Sequence, residues 1–197
     1  MSEDAAAKRR ARQTVINLGL SLAATLGIVL VTVLGVPRDD SARHNPADYK
    51  AEGQAAAESS NLPILLPELE PGWWANNTRW SASAAAKDGV ATWYVGFVGP
   101  KNQFIGMTQA FDTNPTWIAF QILNSELKGT KNVGDVEWTI WQAAEPSDPP
   151  KTRDKLWSAT IAGPDGSETS LLIYGTGTDA EFTKFATALN VAIEEGK

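Results

Sequence analysis

Residues Val15 to Val36 read VINLGLSLAATLGIVLVTVLGV, an uninterrupted stretch of 22 uncharged positions. As a helix, such a stretch rises roughly 33 Å, about the thickness of the hydrocarbon core of a bilayer. A helix buried in a soluble core seldom runs so far without one charge. A cleavable secretory signal has an apolar region of only about 7–15 residues, then small residues at an A-x-A-like site. Here the run ends in Val33-Leu34-Gly35-Val36-Pro37, with no small pair correctly spaced. The chain has no cysteine, so anchoring through a lipidated cysteine is excluded. The expected plan is a basic cytoplasmic tail over 1–14 and a retained transmembrane helix over 15–36.

Lys8, Arg9, Arg10 and Arg12 abut one end of the stretch, whereas Asp39 and Asp40 lie beyond the other. Basic flanks stay on the cytoplasmic side, which predicts a single-pass plasma-membrane protein with its N-terminus inside and its C-terminal domain extracytoplasmic. Gly19, Ala23 and Gly27 recur at four-residue spacing, a small-residue ridge that lets a second helix approach and predicts helix-mediated self-association.

Residues 37–60, PRDDSARHNPADYKAEGQAAAESS, are polar and alanine-rich. A segment this poor in large apolar side chains cannot bury enough surface to offset its ordering entropy, so a flexible tether is expected, with partial helix over 48–58. His44, the sole histidine, falls in this tether and is expected to be solvated. Residues 61–197 suit one domain of ordinary size. Beyond Val36 there are 13 Lys and Arg against 21 Asp and Glu, a balance of about −8. That balance offers no basic stripe for nucleic acid and repels anionic headgroups, which leaves the helix as the expected membrane contact.

Alternation at period two dominates the domain. Ala91, Trp93, Val95 and Phe97 share a face, the turn Gly99-Pro100-Lys101-Asn102 follows, and Gln103 to Phe111 returns with Ile105, Met107 and Phe111 on one face. An earlier strand is expected over Trp74–Ala82. Val133-Gly134-Asp135-Val136 is a tight turn into a strand with Val136, Trp138 and Ile140 facing one way. The segments 155–161 and 168–174 flank the hairpin turn Gly163-Pro164-Asp165-Gly166-Ser167, and Pro146, Pro149 and Pro150 mark an exposed loop before them.

Two helices interrupt these strands. Asn114 caps and Pro115 opens the first, with Trp117, Phe120 and Leu123 at three-residue spacing. The capping box Thr178-Asp179-Ala180-Glu181 opens the second, which carries Phe182, Phe185, Leu189 and Ile193 as one stripe. The fold class is therefore α+β, an antiparallel sheet of about six strands packed with two helices.

Reactive constellations are scarce. Gly175-Thr176-Gly177-Thr178-Asp179-Ala180 has the G-x-G-x-x-A form, but 17 residues remain after it, too few for the second strand and acidic residue of a dinucleotide fold. It reads as a glycine turn. One histidine and no cysteine leave no zinc set and no thiol chemistry, and a His44-based triad would need a tether to hold geometry. Phosphate-cradling and nucleophile-elbow motifs are absent as well. Glu68/Glu70 and Glu194/Glu195 read as solvated carboxylates rather than an acid–base couple. No catalytic residue, cofactor or metal is expected.

Tryptophan is the unusual component, with eight residues: Trp73, Trp74, Trp80, Trp93, Trp117, Trp138, Trp141 and Trp157. Trp93, Trp117 and Trp138 fit core positions by periodicity. Trp141 has the opposite parity to Trp138, and Trp73-Trp74 follows Pro71-Gly72. Trp73, Trp74 and Trp141 are therefore the candidate interaction surface.

Several motifs together resemble a known family: Leu66-Pro67, Pro71-Gly72-Trp73, Trp93-Tyr94-Val95-Gly96-Phe97, Phe104-Ile105-Gly106, Val136-Glu137-Trp138-Thr139-Ile140-Trp141 and Gly175-Thr176-Gly177-Thr178. With the basic N-terminus, helix and tether, this is similar to an actinobacterial family of single-pass membrane proteins known as a domain of unknown function. The resemblance covers nearly the whole chain, implies a bacterial cell envelope and brings no catalytic residues. The order of strands and helices also resembles Mog1/PsbP-like domains, which act mainly as binding or assembly modules. The expected role is a non-enzymatic binding or accessory module for an envelope protein complex, with no nucleic acid partner. A carrier or sensor for an apolar or glycan ligand is the alternative, and a hydrolase using dispersed carboxylates the third.

Overall fold

A computed structural model of the chain describes residues 3–35, 46–162 and 167–195. They fall into two compact units, divided after His44. The first unit carries α1 (Glu3–Gly35). Its segment Lys8–Thr32 contains an 18-residue window of mean hydropathy 2.1 and is long and apolar enough to cross a membrane. The hydroxyls of Thr25 and Thr32 donate to the carbonyls of Ser21 and Ile28, at 2.9 and 2.8 Å, which satisfies both donors within the helix. Gly19 and Gly27 have open space around their α-carbons, so the small-residue ridge lies free along the helix. The last position of the expected span, Val36, and the tether residues 37–45, His44 among them, lie outside the described residues.

Among the described residues, the second unit is one seven-stranded antiparallel sheet with three α-helices and a single 3-10 turn at Ser83–Ala85. Its elements are α2 (Tyr49–Ser60), β1 (Trp74–Ser81), β2 (Ala91–Val98), β3 (Phe104–Phe111), α3 (Pro115–Gln121), β4 (Ser125–Val133), β5 (Val136–Ala143), β6 (Lys155–Ala162), β7 (Glu168–Gly175) and α4 (Asp179–Glu195). Spatial order is β1-β2-β3-β7-β6-β5-β4. Two meanders, β1 to β3 and β4 to β7, are thus joined along β3 and β7, and α3 carries the chain from one to the other.

Period two decides the layers. Val95, Met107, Ile173 and Trp157 stand side by side on four strands and form the middle of the main core. Phe182, Phe185, Ala186 and Leu189 of α4 close over that core, beside Ala56 of α2. The helix starts where the capping box predicts: Thr178 N–H donates to the Glu181 carboxylate at 2.7 Å, and Glu181 N–H donates to Thr178 Oγ1 at 3.3 Å. On the other face a smaller core gathers Ala110, Leu156 and Leu172 under Trp117 of α3.

Three expectations need correction. The sheet has seven strands rather than about six. The missed one, β4, reads SELKGTKNV; it is an edge strand, and its polarity keeps an exposed edge from pairing with other chains. The flexible tether does not extend to Ser60. Asp48 caps α2 through Ala51 N–H, and Gly53 and Ala56 face the sheet, small enough for close approach to Trp93 and Leu66. Tyr49 packs edge-on to Phe97 and its hydroxyl donates to Pro67 C=O at 2.8 Å. Finally, α3 spans only 7 residues. Trp117 is buried, but Phe120, within the helix, and Leu123, beyond its end, are 69% and 63% exposed, so the three do not form one buried stripe. Of the expected turn Gly163 to Ser167, positions 163–166 lie outside the described residues.

Candidate functional site

A broad concavity of the domain sits where the sheet comes apart. β6 pairs with β7 over seven residues, from Leu156–Tyr174 to Ala162–Glu168, but with β5 over four, from Gln142–Lys155 to Thr139–Ser158. Ala143 N–H donates to Asp154 C=O at 2.8 Å, which continues that register and fixes its alternation. In an antiparallel pair the exchanging residues recur every second position. The main-chain groups of Trp141 and Leu156, then of Thr139 and Ser158, therefore face one another. Two positions on, Glu137 and Thr160 aim their N–H and C=O groups across the gap, where the ladder has already stopped. Ala159 and Ile161 turn the other way, to Leu171 and Thr169 of β7.

This parting opens a cleft of about 1020 Å³. Its hydroxyl-rich side carries Thr139, Ser158, Thr160 and Ser170; Ser170 Oγ is bonded to Thr113 Oγ1 at 2.8 Å. Ile118 and Ile122 contribute the apolar wall on the α3 side, and Ile193 and Asn190 the wall on the α4 side. Four carboxylates, Asp135, Glu137, Glu168 and Glu194, complete the lining, with no lysine, arginine or aromatic ring among the lining residues. Asn190 is more than nine-tenths buried. Its amide nitrogen donates to the Val133 carbonyl, which holds α4 on the β4–β5 turn, while its Oδ1 has no partner among the described residues.

Aromatic residues lie elsewhere. Trp73 is half-buried, with its ring 6.5 Å from that of Phe185, and it borders a second hollow of about 260 Å³ beside Leu69 and Lys184. Trp74 is half-buried at the start of β1, opposite Val98. Trp141 packs against the smaller core and donates from Nε1 to Ser158 Oγ at 2.9 Å. Trp73 and Trp141 join different cores on opposite faces, so the three candidate tryptophans do not form one surface. The indole nitrogens of Trp93, Trp138 and Trp157 are buried without a partner among the described residues, which identifies those rings as packing elements.

Ionisable groups near the sheet hold geometry. Burial, reinforced by Tyr174, pushes the Tyr94 phenol up to about 12. Arg153 lies 3.9 Å from the centre of the Tyr174 ring and Arg79 5.8 Å from that of Tyr94. Tyr94 is thus held protonated and serves as a hydrogen-bonding side chain rather than a nucleophile. Asp154 accepts from the N–H groups of Lys151 and Ser147, at 2.9 and 2.8 Å, and those bonds hold its carboxyl below the usual range. Among the described residues no three His, Asp or Glu side chains converge as a metal site would need.

The glycine motif 175–177 closes the sheet. Gly175 lies opposite Ile105, and a Cβ there would overlap the Phe104 carbonyl oxygen. Thr176 completes the junction, with its N–H on Phe104 C=O at 2.9 Å and its Oγ1 accepting from Phe104 N–H at 3.0 Å. Sequence reasoning missed two polar anchors. Gln109 accepts from Leu65 N–H at 2.8 Å and donates to Pro63 C=O at 2.7 Å, which pins the segment after α2 across the core. Its signal was a polar residue at a core-parity position between Met107 and Phe111. Asn190 stands at the same kind of position, one residue past Leu189 in the apolar stripe.

The chain belongs to DUF4245, a family of proteins of unknown function, whose profile matches residues 10–189. No curated protein and no solved structure matches it, so the likeness to Mog1/PsbP-like domains gains no support from comparison.

Proposed function

We propose that this member of the DUF4245 family is a membrane-anchored, non-enzymatic binding module of a bacterial cell envelope. Its single N-terminal helix crosses the plasma membrane with the N-terminus cytoplasmic, and the sheet domain works on the extracytoplasmic side. The envelope setting follows the resemblance to the actinobacterial single-pass family, and the orientation follows the basic cluster before the helix. The observation that carries the binding role is the cleft between β5 and β6. It offers strand main-chain groups beyond the end of the β5–β6 ladder, together with hydroxyls and carboxylates.

With an apolar or glycan ligand in place of a partner protein, aromatic rings would be expected to line the cavity. The aliphatic, hydroxyl-bearing and acidic lining favours the partner reading. Crosslinking of the full-length protein in its native membrane, followed by purification, tests it: a protein partner crosslinked through the domain is expected. Recovery of the domain with a bound lipid or glycan and no protein crosslink would overturn the reading. Protease added to intact spheroplasts should remove the domain, and complete protection would reverse the topology.

A further inference from the structure

We infer that the parted seam between β5 and β6 receives an extended peptide segment of a partner protein, a strand that carries basic side chains. The inference rests on the binding-module reading and adds the site, the mode and the chemistry of the occupant.

The first ground is the main chain. Glu137 and Thr160 present N–H and C=O groups into the gap from its two sides, at positions where the register calls for a pair and the ladder has ended. Unpaired strand groups inside a sheet are a template for an added strand, whose own main chain would satisfy them without any sequence requirement. The second ground is charge. Asp135, Glu137, Glu168 and Glu194 line the cleft with no basic side chain among the described lining residues, so an occupant with lysine or arginine is complementary. Side chains of a strand alternate between faces. One row of the added strand would meet Ile118 and Ile122 beside the hydroxyls, and the other would meet Ile193 and Glu194.

The test uses the full-length chain in phosphatidylcholine nanodiscs, whose zwitterionic lipid does not hold basic peptides by charge. The probe is a fluorescent acetylated hexapeptide of alternating valine and lysine, compared with its valine–glutamate counterpart. The lysine peptide should bind at least about tenfold tighter, and its affinity should fall as salt rises. Glu137→Gln with Glu168→Gln should weaken it about three- to tenfold. Thr160→Pro leaves every charge in place and removes one donor that faces the gap, while the β6–β7 bonds stay intact; it should weaken binding at least about tenfold. On binding, amide exchange at Glu137 and Thr160 should slow. Equal affinity for the two peptides, or lysine-peptide binding that slows neither amide, would overturn the seam proposal. Native-membrane crosslinks that map away from the cleft would overturn it too and leave the binding module standing. Peptide binding at the seam with no protein partner in the membrane would do the opposite.

Discussion

β6 has two neighbours and treats them differently. Toward β7 it pairs along its whole useful length, with Trp157 and Ala159 locked into the main core beneath α4. Toward β5 it pairs for four residues and then departs, although both strands continue. The strands are of equal length, 8 residues each, so length does not explain the difference. Packing does. The β7 side puts Leu171 and Ile173 under α4, and burial of such side chains contributes about 1.5–3 kcal/mol each. At the parting, Glu137 and Thr160 are exposed and bring no apolar surface to the gap. A strand pair held only by main-chain bonds gains a net of about 0.5–1.5 kcal/mol per bond, less than the burial of one large apolar side chain contributes.

The largest effect should appear where packing is densest. Phe185→Ala removes a ring that contacts Trp73 and Phe97, and such truncations cost about 3–5 kcal/mol of a typical 5–15 kcal/mol stability. The neighbouring Lys184→Ala should change stability by no more than about 0.5 kcal/mol, since its pair with Glu70 is exposed on both sides. Thermal melts decide this, and equal melting temperatures for the two variants would mean that α4 is not docked.

A smaller effect separates the two edges of β6 directly. Ile161→Pro deletes a donor to β7 and leaves a buried acceptor at Thr169, whereas Thr160→Pro deletes a donor that faces the gap. The first should therefore cost about 1–3 kcal/mol more than the second in denaturant unfolding. Equal costs would mean that β5 and β6 are paired there after all.

The smallest effect is electrostatic. Bonds from the Thr178 main chain, followed by its hydroxyl, lower the Glu181 carboxyl below its ordinary value against an opposing effect of burial. A carboxyl whose pKa is lowered by folding adds stability above its unfolded value, and that stability is lost as pH falls through the folded value. Glu181→Gln should thus flatten the acid limb of the stability curve below about pH 4.5 and change the neutral region less. An unchanged acid limb would remove the capping box from the list of contributors.

Much of this was legible from residue order. Alternation located β2, β3, β5, β6 and β7 to within about two residues, because each puts an apolar row on the core. The same rule explains the failures. Edge strand β4 has little apolar surface to announce it, and α2 packs through Gly53 and Ala56, which look like spacer residues until a tryptophan and a leucine meet them. The tryptophans signalled a dense core more than a shared surface. The cleft had no sequence signature, since it arises from where two strands stop pairing and no residue type records that. Its hydroxyls and carboxylates read as an ordinary solvated strand face.

Amide hydrogen exchange along β6 of the free protein tests the parted seam most directly. The alternation predicts that the Ala159 and Ile161 amides, bonded to β7, exchange slowly, while the Thr160 amide between them exchanges at least about a hundredfold faster. Comparable protection at all three would show a closed β5–β6 ladder in solution and contradict the open cleft.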